Sequence, residues 1–224
     1  MEKKFWSMML DVGGWLESQH FDEYLSYLRK RVLDESLSDV VVTTEFFSSF
    51  IDTNMDPKQE LFPGLLDDLN KMMEGTSSTS YIKSWTGVKR LYFPHNIAET
   101  HWMAVRADFE NNELVVFDSL RCFRSDDEIV RSLEPHRKWF GNVACILNGI
   151  VYDPEIMPLW NVKRPTVPQQ TTSDCGVFTM KFIELDMVGK DFKELENMTE
   201  SRMKQVRLLM AYSICKEFQE TLNV

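Results

Sequence analysis

The polar run Pro168-Gln169-Gln170-Thr171-Thr172-Ser173-Asp174 leads directly into Cys175, Gly176 and an apolar stretch, and this junction constrains the chain more than any other segment. Val177, Met180, Phe182 with Ile183, and Met187 recur at helical spacing after the turn-prone residues. That pattern predicts a buried helix with Cys175 at or just inside its start. A thiol there feels the positive end of the helix dipole, which favours the thiolate, the nucleophilic form. Most lone cysteines pack as small core residues, so a chemical role for Cys175 requires a base elsewhere in the chain.

Four histidines are available. His20 falls in an expected helix over 19–32, beside the apolar face made by Phe21, Tyr24, Leu25, Leu28 and Val32, and reads as a surface or helix-start residue. His95 follows Pro94 and His136 follows Pro135, so both read as loop residues. His101 differs because it opens a hairpin pattern. His101-Trp102-Met103-Ala104-Val105-Arg106-Ala107-Asp108 is strand-like, Asn111-Asn112 signals a turn, and Leu114-Val115-Val116-Phe117-Asp118 is a second strand. Cross-strand partners in a hairpin have residue numbers with a constant sum. A turn over 109–112 gives 221 and sets His101 opposite Leu120, two positions from Asp118; a tighter turn gives 219 and sets it opposite Asp118 itself. Either odd sum puts His101 and Asp118 on one face, whereas an even sum would separate them. A carboxylate beside an imidazole fixes its tautomer and stabilises the imidazolium.

An attacked carbonyl also needs hydrogen-bond donors for its developing oxyanion. Gln169, six residues before Cys175, offers a side-chain amide, and the Cys175 backbone N–H offers a second donor. On chemistry alone Gln170 is an equal candidate.

His101-Trp102, Asp118-Ser119 seventeen residues after the histidine, and Gln-Gln-x-x-x-Asp-Cys-Gly with Phe178 two residues on form a specific combination. It resembles the ubiquitin-like-protein-specific cysteine peptidases, the SUMO- and NEDD8-deconjugating enzymes related to the adenovirus protease. The similarity covers almost the whole chain: Trp15-Leu16-Glu17-Ser18 resembles the Trp-Leu lead into the family's first helix, and Glu45-Phe46-Phe47 resembles a second helix start. The resemblance implies an α+β, papain-like-superfamily cysteine protease architecture. A helical N-terminal part would pack on a central, mainly antiparallel sheet, with the nucleophile at a helix N-terminus. It implies that His101 is the base, Asp118 its orienting carboxylate, Cys175 the nucleophile and Gln169 a wall of the oxyanion hole. Trp102 and Trp15 would flank a tunnel for the substrate's Gly-Gly tail; by composition alone such tryptophans read as packing. The implied activity is cleavage after the C-terminal Gly-Gly of a ubiquitin-like protein (SUMO, NEDD8 or a relative) or of its conjugates. Thr171-Thr172-Ser173 stand where many members have Asn and Gly, a departure that bears on substrate preference. An acyltransferase on a similar His–acid–Cys site and a non-catalytic module that binds such a modifier are the alternatives.

The length of 224 residues suits one catalytic domain over 1–224: mainly helical over 1–80, sheet and catalytic residues over 88–185, and a C-terminal helix over 199–222. Hydrophobic residues make up 43% and aromatic residues 12%, enough for a sizeable core. A net charge of -10 argues against a nucleic-acid surface. No apolar run reaches membrane-span length, and the Trp/Met-rich N-terminus is too short for a signal peptide. Cys122, Cys145, Cys175 and Cys215 lack metal-ligand or disulfide-framework spacing, which fits reduced thiols in the nucleus or cytoplasm, no metal and no cofactor. A monomer is expected. Further helices are predicted near 45–51, over 61–73 and over 126–139, a strand at 90–94, a loop at 75–80, and a proline-punctuated irregular approach to Cys175. In the last helix Met203, Val206, Met210, Ile214 and Phe218 read as core.

Overall fold

The computed structural model describes residues 3–54, 71–76, 81, 83–147 and 159–222. Five strands form one sheet in chain order: β1 (Val40–Val42), β2 (Arg90–Ile97), β3 (His101–Asp108), β4 (Glu113–Phe117) and β5 (Asn161–Lys163). The three central strands pair antiparallel, while β1 joins β2 and β5 joins β4 in parallel. The sheet is therefore mixed: the antiparallel expectation holds for its centre and not for its edges. β5 is silent in the sequence because it is three residues long and mostly exposed, so it carries no apolar alternation.

Both faces of the sheet are covered, and successive residues of the central strands serve different cores. Tyr92, Trp102, Ala104, Val115 and Phe117 face a core shared with α1 (Lys3–Leu10), α2 (Ser18–Asp34), α6 (Cys175–Met187) and α7 (Glu200–Leu222). Leu91, Phe93, Met103, Val105, Leu114 and Val116 face a second core shared with α3 (Phe46–Asn54), α4 (Asp126–Ser132) and α5 (Glu134–Leu147). The single helix expected over 126–139 is two helices. Pro135 has no N–H to continue the ladder, and the chain turns at Leu133. Ser125 starts α4 with a capping box: its Oγ accepts from the Glu128 N–H, and the Glu128 carboxylate accepts from the Ser125 N–H.

The Trp/Met-rich N-terminus forms α1, an element for which no helix is expected from the sequence. His20 occupies the third position of α2 and accepts from the Glu17 N–H, as a helix-start residue does. It is buried rather than at the surface: its ring stacks on Phe5 at 4.4 Å, and its Nε2 lies 3.0 Å from the Phe5 carbonyl. In α7, Met203, Met210 and Ile214 are buried as expected, but Phe218 is 44% exposed. Most of the helix expected over 61–73 lies outside the described residues, with 71–74 helical, and so does most of the expected loop at 75–80. No helix among the described residues is long and apolar enough to cross a membrane. None of the four cysteines is in a disulfide.

His95 and His136 are not loop residues. His95 lies in β2 and His136 in α5, and both are buried. Ser48 of α3 ties them together, with its Oγ 2.7 Å from His95 Nδ1 and 2.9 Å from His136 Nε2. Asp52 lies 3.5 Å from His136 Nδ1. Burial pushes the His95 imidazole down to about 4; burial, then the charge of His95, pushes His136 well below the usual range. One donor atom from each of Asp52, His95 and His136 lies within 4.8 Å of the others. The Ser48 hydroxyl bridges the two rings and makes the cluster a hydrogen-bonded tie between α3, β2 and α5. Ser48→Ala leaves two buried ring nitrogens without this partner. It is expected to lower stability by about 1–3 kcal/mol, read from urea unfolding, because unsatisfied buried polar groups carry their full desolvation cost.

Candidate active site

β3 and β4 present His101 and Asp118 at the same end of the sheet. The observed register, Ala104 opposite Phe117 through Asp108 opposite Glu113, is the one whose partner numbers add to 221. β4 ends at Phe117, and Asp118 folds back so that its Oδ1 lies 2.8 Å from His101 Nε2. Both residues are buried, at 2% exposure each. The Leu120 N–H donates to the same Oδ1 at 2.7 Å, and Arg164 Nη2 donates to Oδ2 at 2.5 Å. Phe123 packs edge-to-face against the imidazole, with the ring centroids 5.5 Å apart. No sequence motif marks Arg164 or Phe123.

Cys175 is the first residue of α6 and is 4% exposed. Its thiol acts on the His101 imidazole, and because Asp118 holds Nε2, the ring nitrogen left to face the sulfur is Nδ1. Burial pushes the His101 imidazole down, but the hydrogen bonds and charges of Asp118 and Cys175 outweigh it and raise the group to about 9. Asp118 moves the other way. Burial would raise it, yet the hydrogen bonds from His101 and Leu120, the charge of His101 and the bond from Arg164 hold it below the ordinary carboxylate range. The arrangement stabilises an imidazolium beside the sulfur, the condition for a thiolate nucleophile.

Asp174 anchors the start of α6. Arg207 of α7 is fully buried and donates Nε at 2.9 Å and Nη2 at 2.6 Å to Asp174 Oδ1. Its other N–H groups reach the carbonyls of Met8, Met9 and Gly14. The Gly13 N–H also donates to Asp174 Oδ1, and the Thr172 hydroxyl donates to Oδ2. All five donors of the guanidinium are used. Gly176 lets the Trp15-bearing segment approach the same helix turn: a Cβ there would sit 3.2 Å from Leu16 Cβ and 3.4 Å from Phe21 Cε2.

Gln169 lies next to the Asp118 loop, with its amide engaged. Nε2 donates at 2.9 Å to the carbonyls of Asp118 and Val167, and Oε1 accepts from the Arg121 N–H at 2.8 Å. Gln170 Oε1 accepts from the Ser119 hydroxyl at 3.0 Å. Trp15 and Trp102 line one cleft of about 590 Å³ together with Glu45, Asp52, Asn96 and Glu99. Trp102 is 4% exposed and packs on Phe21 at 4.1 Å, whereas Trp15 is 38% exposed.

A cysteine at a helix start, beside a histidine that a buried aspartate holds, has the make-up of a cysteine-type peptidase site. The chain belongs to the Ulp1 protease family: the model of that family's C-terminal catalytic domain matches residues 14–222. The fold is similar to a crystal structure described as the de-sumoylating protease, with a TM-score of 0.65 at 16% identity, covering 100% of this chain and 90% of that one. It is also similar to the SUMO protease Ulp1 with its catalytic cysteine oxidized to a sulfenic acid, with a TM-score of 0.64 at 14% identity and coverages of 97% and 84%. The Ulp1-like SUMO protease catalytic domain of Chaetomium thermophilum gives 0.61 at 17% identity, with coverages of 92% and 74%. At these identities the likeness is one of fold. No curated protein matches the chain.

Arg207→Met strands a buried carboxylate beside Cys175 and is expected to cost about 3–5 kcal/mol in chemical denaturation, the usual cost of breaking a buried pair. The His101 pair is linked to pH. A folded-state value of about 9 lies above the ordinary value, so its stabilisation is complete below about pH 6.5 and is lost as pH rises towards 9. Urea midpoints should fall across that window and fall less in His101→Gln; an NMR titration of His101 should give a midpoint well above the ordinary imidazole range and a lower one in Asp118→Asn.

Proposed function

We propose that the chain is a peptidase or isopeptidase that cleaves after the C-terminal Gly-Gly of a ubiquitin-like protein, with SUMO-type modifiers the first candidates. The observation that carries this reading is the linked set Cys175, His101 and Asp118, with His101 Nε2 2.8 Å from Asp118 and the cysteine at the start of α6. Cys175 attacks the carbonyl of the terminal glycine. His101 passes its proton to the departing amine, and the thioester is then hydrolysed by water that the same imidazole activates. Asp118 keeps the imidazole oriented and stabilises its charged form.

Several observations support a ubiquitin-like substrate. The family match spans residues 14–222, and a structure of similar fold is a Ulp1 protease domain in complex with Smt3, the yeast ortholog of SUMO. Trp15 and Trp102 line one cleft, the place the reading assigns to the tail. In this reading the two indoles flank the Gly-Gly segment, and the Cys175 backbone N–H supplies one oxyanion donor, being among the helix-start groups without an intrahelical partner. Gln169 supplies the second by releasing one of the two carbonyls its amide now spans.

The test is a panel of ubiquitin-like modifiers carrying a C-terminal electrophile, with any adduct mapped by mass spectrometry. An adduct on Cys175 with one modifier, abolished in Cys175→Ser and strongly slowed in His101→Ala, is expected. A folded protein that reacts with none of them, or reacts equally well without His101, overturns the reading. On the modifier that reacts, Gln169→Ala is expected to lower kcat by about 10²–10³-fold, the usual cost of one oxyanion donor. A loss of that size in Gln170→Ala instead would transfer the role to Gln170.

A further inference from the structure

Asp118 is held from both sides, and only one side is the imidazole. Oδ1 faces His101 and the Leu120 N–H, while Oδ2 faces Arg164. Arg164 follows β5, and its side chain is 5% exposed. Nearly everything else it touches belongs to the segment that leads from Asp118 into α4. Nη2 donates to the Arg121 carbonyl at 3.0 Å, and Nη1 donates to the Arg124 carbonyl at 3.0 Å and to Asp126 Oδ1 at 2.7 Å. Arg121 in turn donates Nη1 to the Arg164 carbonyl at 2.6 Å. Asp126 lies in the first turn of α4, where a carboxylate also suits the helix dipole.

We propose that Arg164 is a positioning residue for the active site, a clamp that pins the outer oxygen of Asp118 so that the inner one faces His101. The inference rests on the peptidase reading above. Its physical basis is the cost of an unpaired charge. Without Arg164, a carboxylate only 2% exposed keeps one oxygen with no donor, so it turns away or takes up a proton. Either response takes the imidazole's partner away and weakens the imidazolium that sustains the thiolate. The charged groups around Asp118 are His101 on β3 and Arg164 after β5, with Arg121 and Asp126 acting through Arg164. A guanidinium suits the place because its flat fork serves two carboxylates and two carbonyls at once. A lysine ammonium is a point charge and holds fewer of them.

The test needs no knowledge of the natural substrate. Iodoacetamide alkylation of Cys175, mapped by mass spectrometry to separate it from exposed Cys122 and Cys215, is followed across pH in Arg164→Ala, Arg164→Lys and Asp126→Asn. His101→Ala and Asp118→Asn serve as references. In Arg164→Ala the neutral-pH rate is expected to fall about 10- to 100-fold, as when the outer partner of a working histidine is removed. The acid limb of the pH–rate profile should shift in the direction in which Asp118→Asn shifts it. Added guanidinium should restore part of the rate, Arg164→Lys should retain part, and Asp126→Asn should shift the limb in the same direction by less. A folded Arg164→Ala with wild-type rate and limb overturns the proposal, as does a loss that neither shifts with pH nor responds to guanidinium. If Arg164→Ala does not fold, unmoved limbs in both Arg164→Lys and Asp126→Asn overturn it. If His101→Ala and Asp118→Asn also react like wild type, the peptidase reading itself fails; if they lose reactivity and the Arg164 series does not, only the clamp fails.

Discussion

The buried ion pair between Asp174 and Arg207 is the contact on which the rest of the site depends. Putting a charged guanidinium into a protein interior is costly unless every donor finds an acceptor. Arg207 meets that condition by gathering the carbonyls of Met8, Met9 and Gly14 and the Asp174 carboxylate around one point. Those acceptors come from the N-terminal helix, the turn after it and the residue just before Cys175. The first helix, the last helix and the start of α6 are therefore registered to one another by a single side chain. Loss of either Asp174 or Arg207 leaves the other's charge buried without its counter-charge.

A second consequence concerns how the active site is divided. Cys175 is positioned by helices, whereas His101 and Asp118 are positioned by strand register, and the two supports are joined by the core that α6 shares with β3 and β4. The segment after β5 joins them from the far side. Arg164 grips the Asp118 loop, and five residues later Gln169 bonds the Asp118 carbonyl and the Arg121 N–H. One stretch of chain thus carries both the clamp on the carboxylate and the proposed oxyanion donor, so a shift in one is felt by the other.

Much of this is legible in the sequence. The junction at Cys175 reveals itself because a turn-rich run meeting a periodic apolar run is a strong local signal. Asp118 can be found because hairpin register is arithmetic. The features that stay hidden depend on distant contacts. His95 and His136 look like loop residues because each follows a proline. Pro94 is in fact accommodated within β2 and Pro135 in the first turn of α5. Arg164 and Arg207 look like ordinary charged residues, since nothing local says that a guanidinium will be buried. The Asp of the Asp-Cys-Gly run is visible as part of a motif, but its partner lies 33 residues away on another helix.

Gly176 adds a constraint of another kind. The helix start and the Trp15–Leu16 segment approach so closely at this point that no side chain fits between them without displacing one or the other. The spacing between the start of α6 and the Trp15–Leu16 segment is therefore set by a glycine against the Leu16 and Phe21 side chains. Such a contact behaves as a mechanical stop. It limits how closely the Cys175 turn and the Trp15-bearing segment can approach, so a displacement of one is passed on to the other.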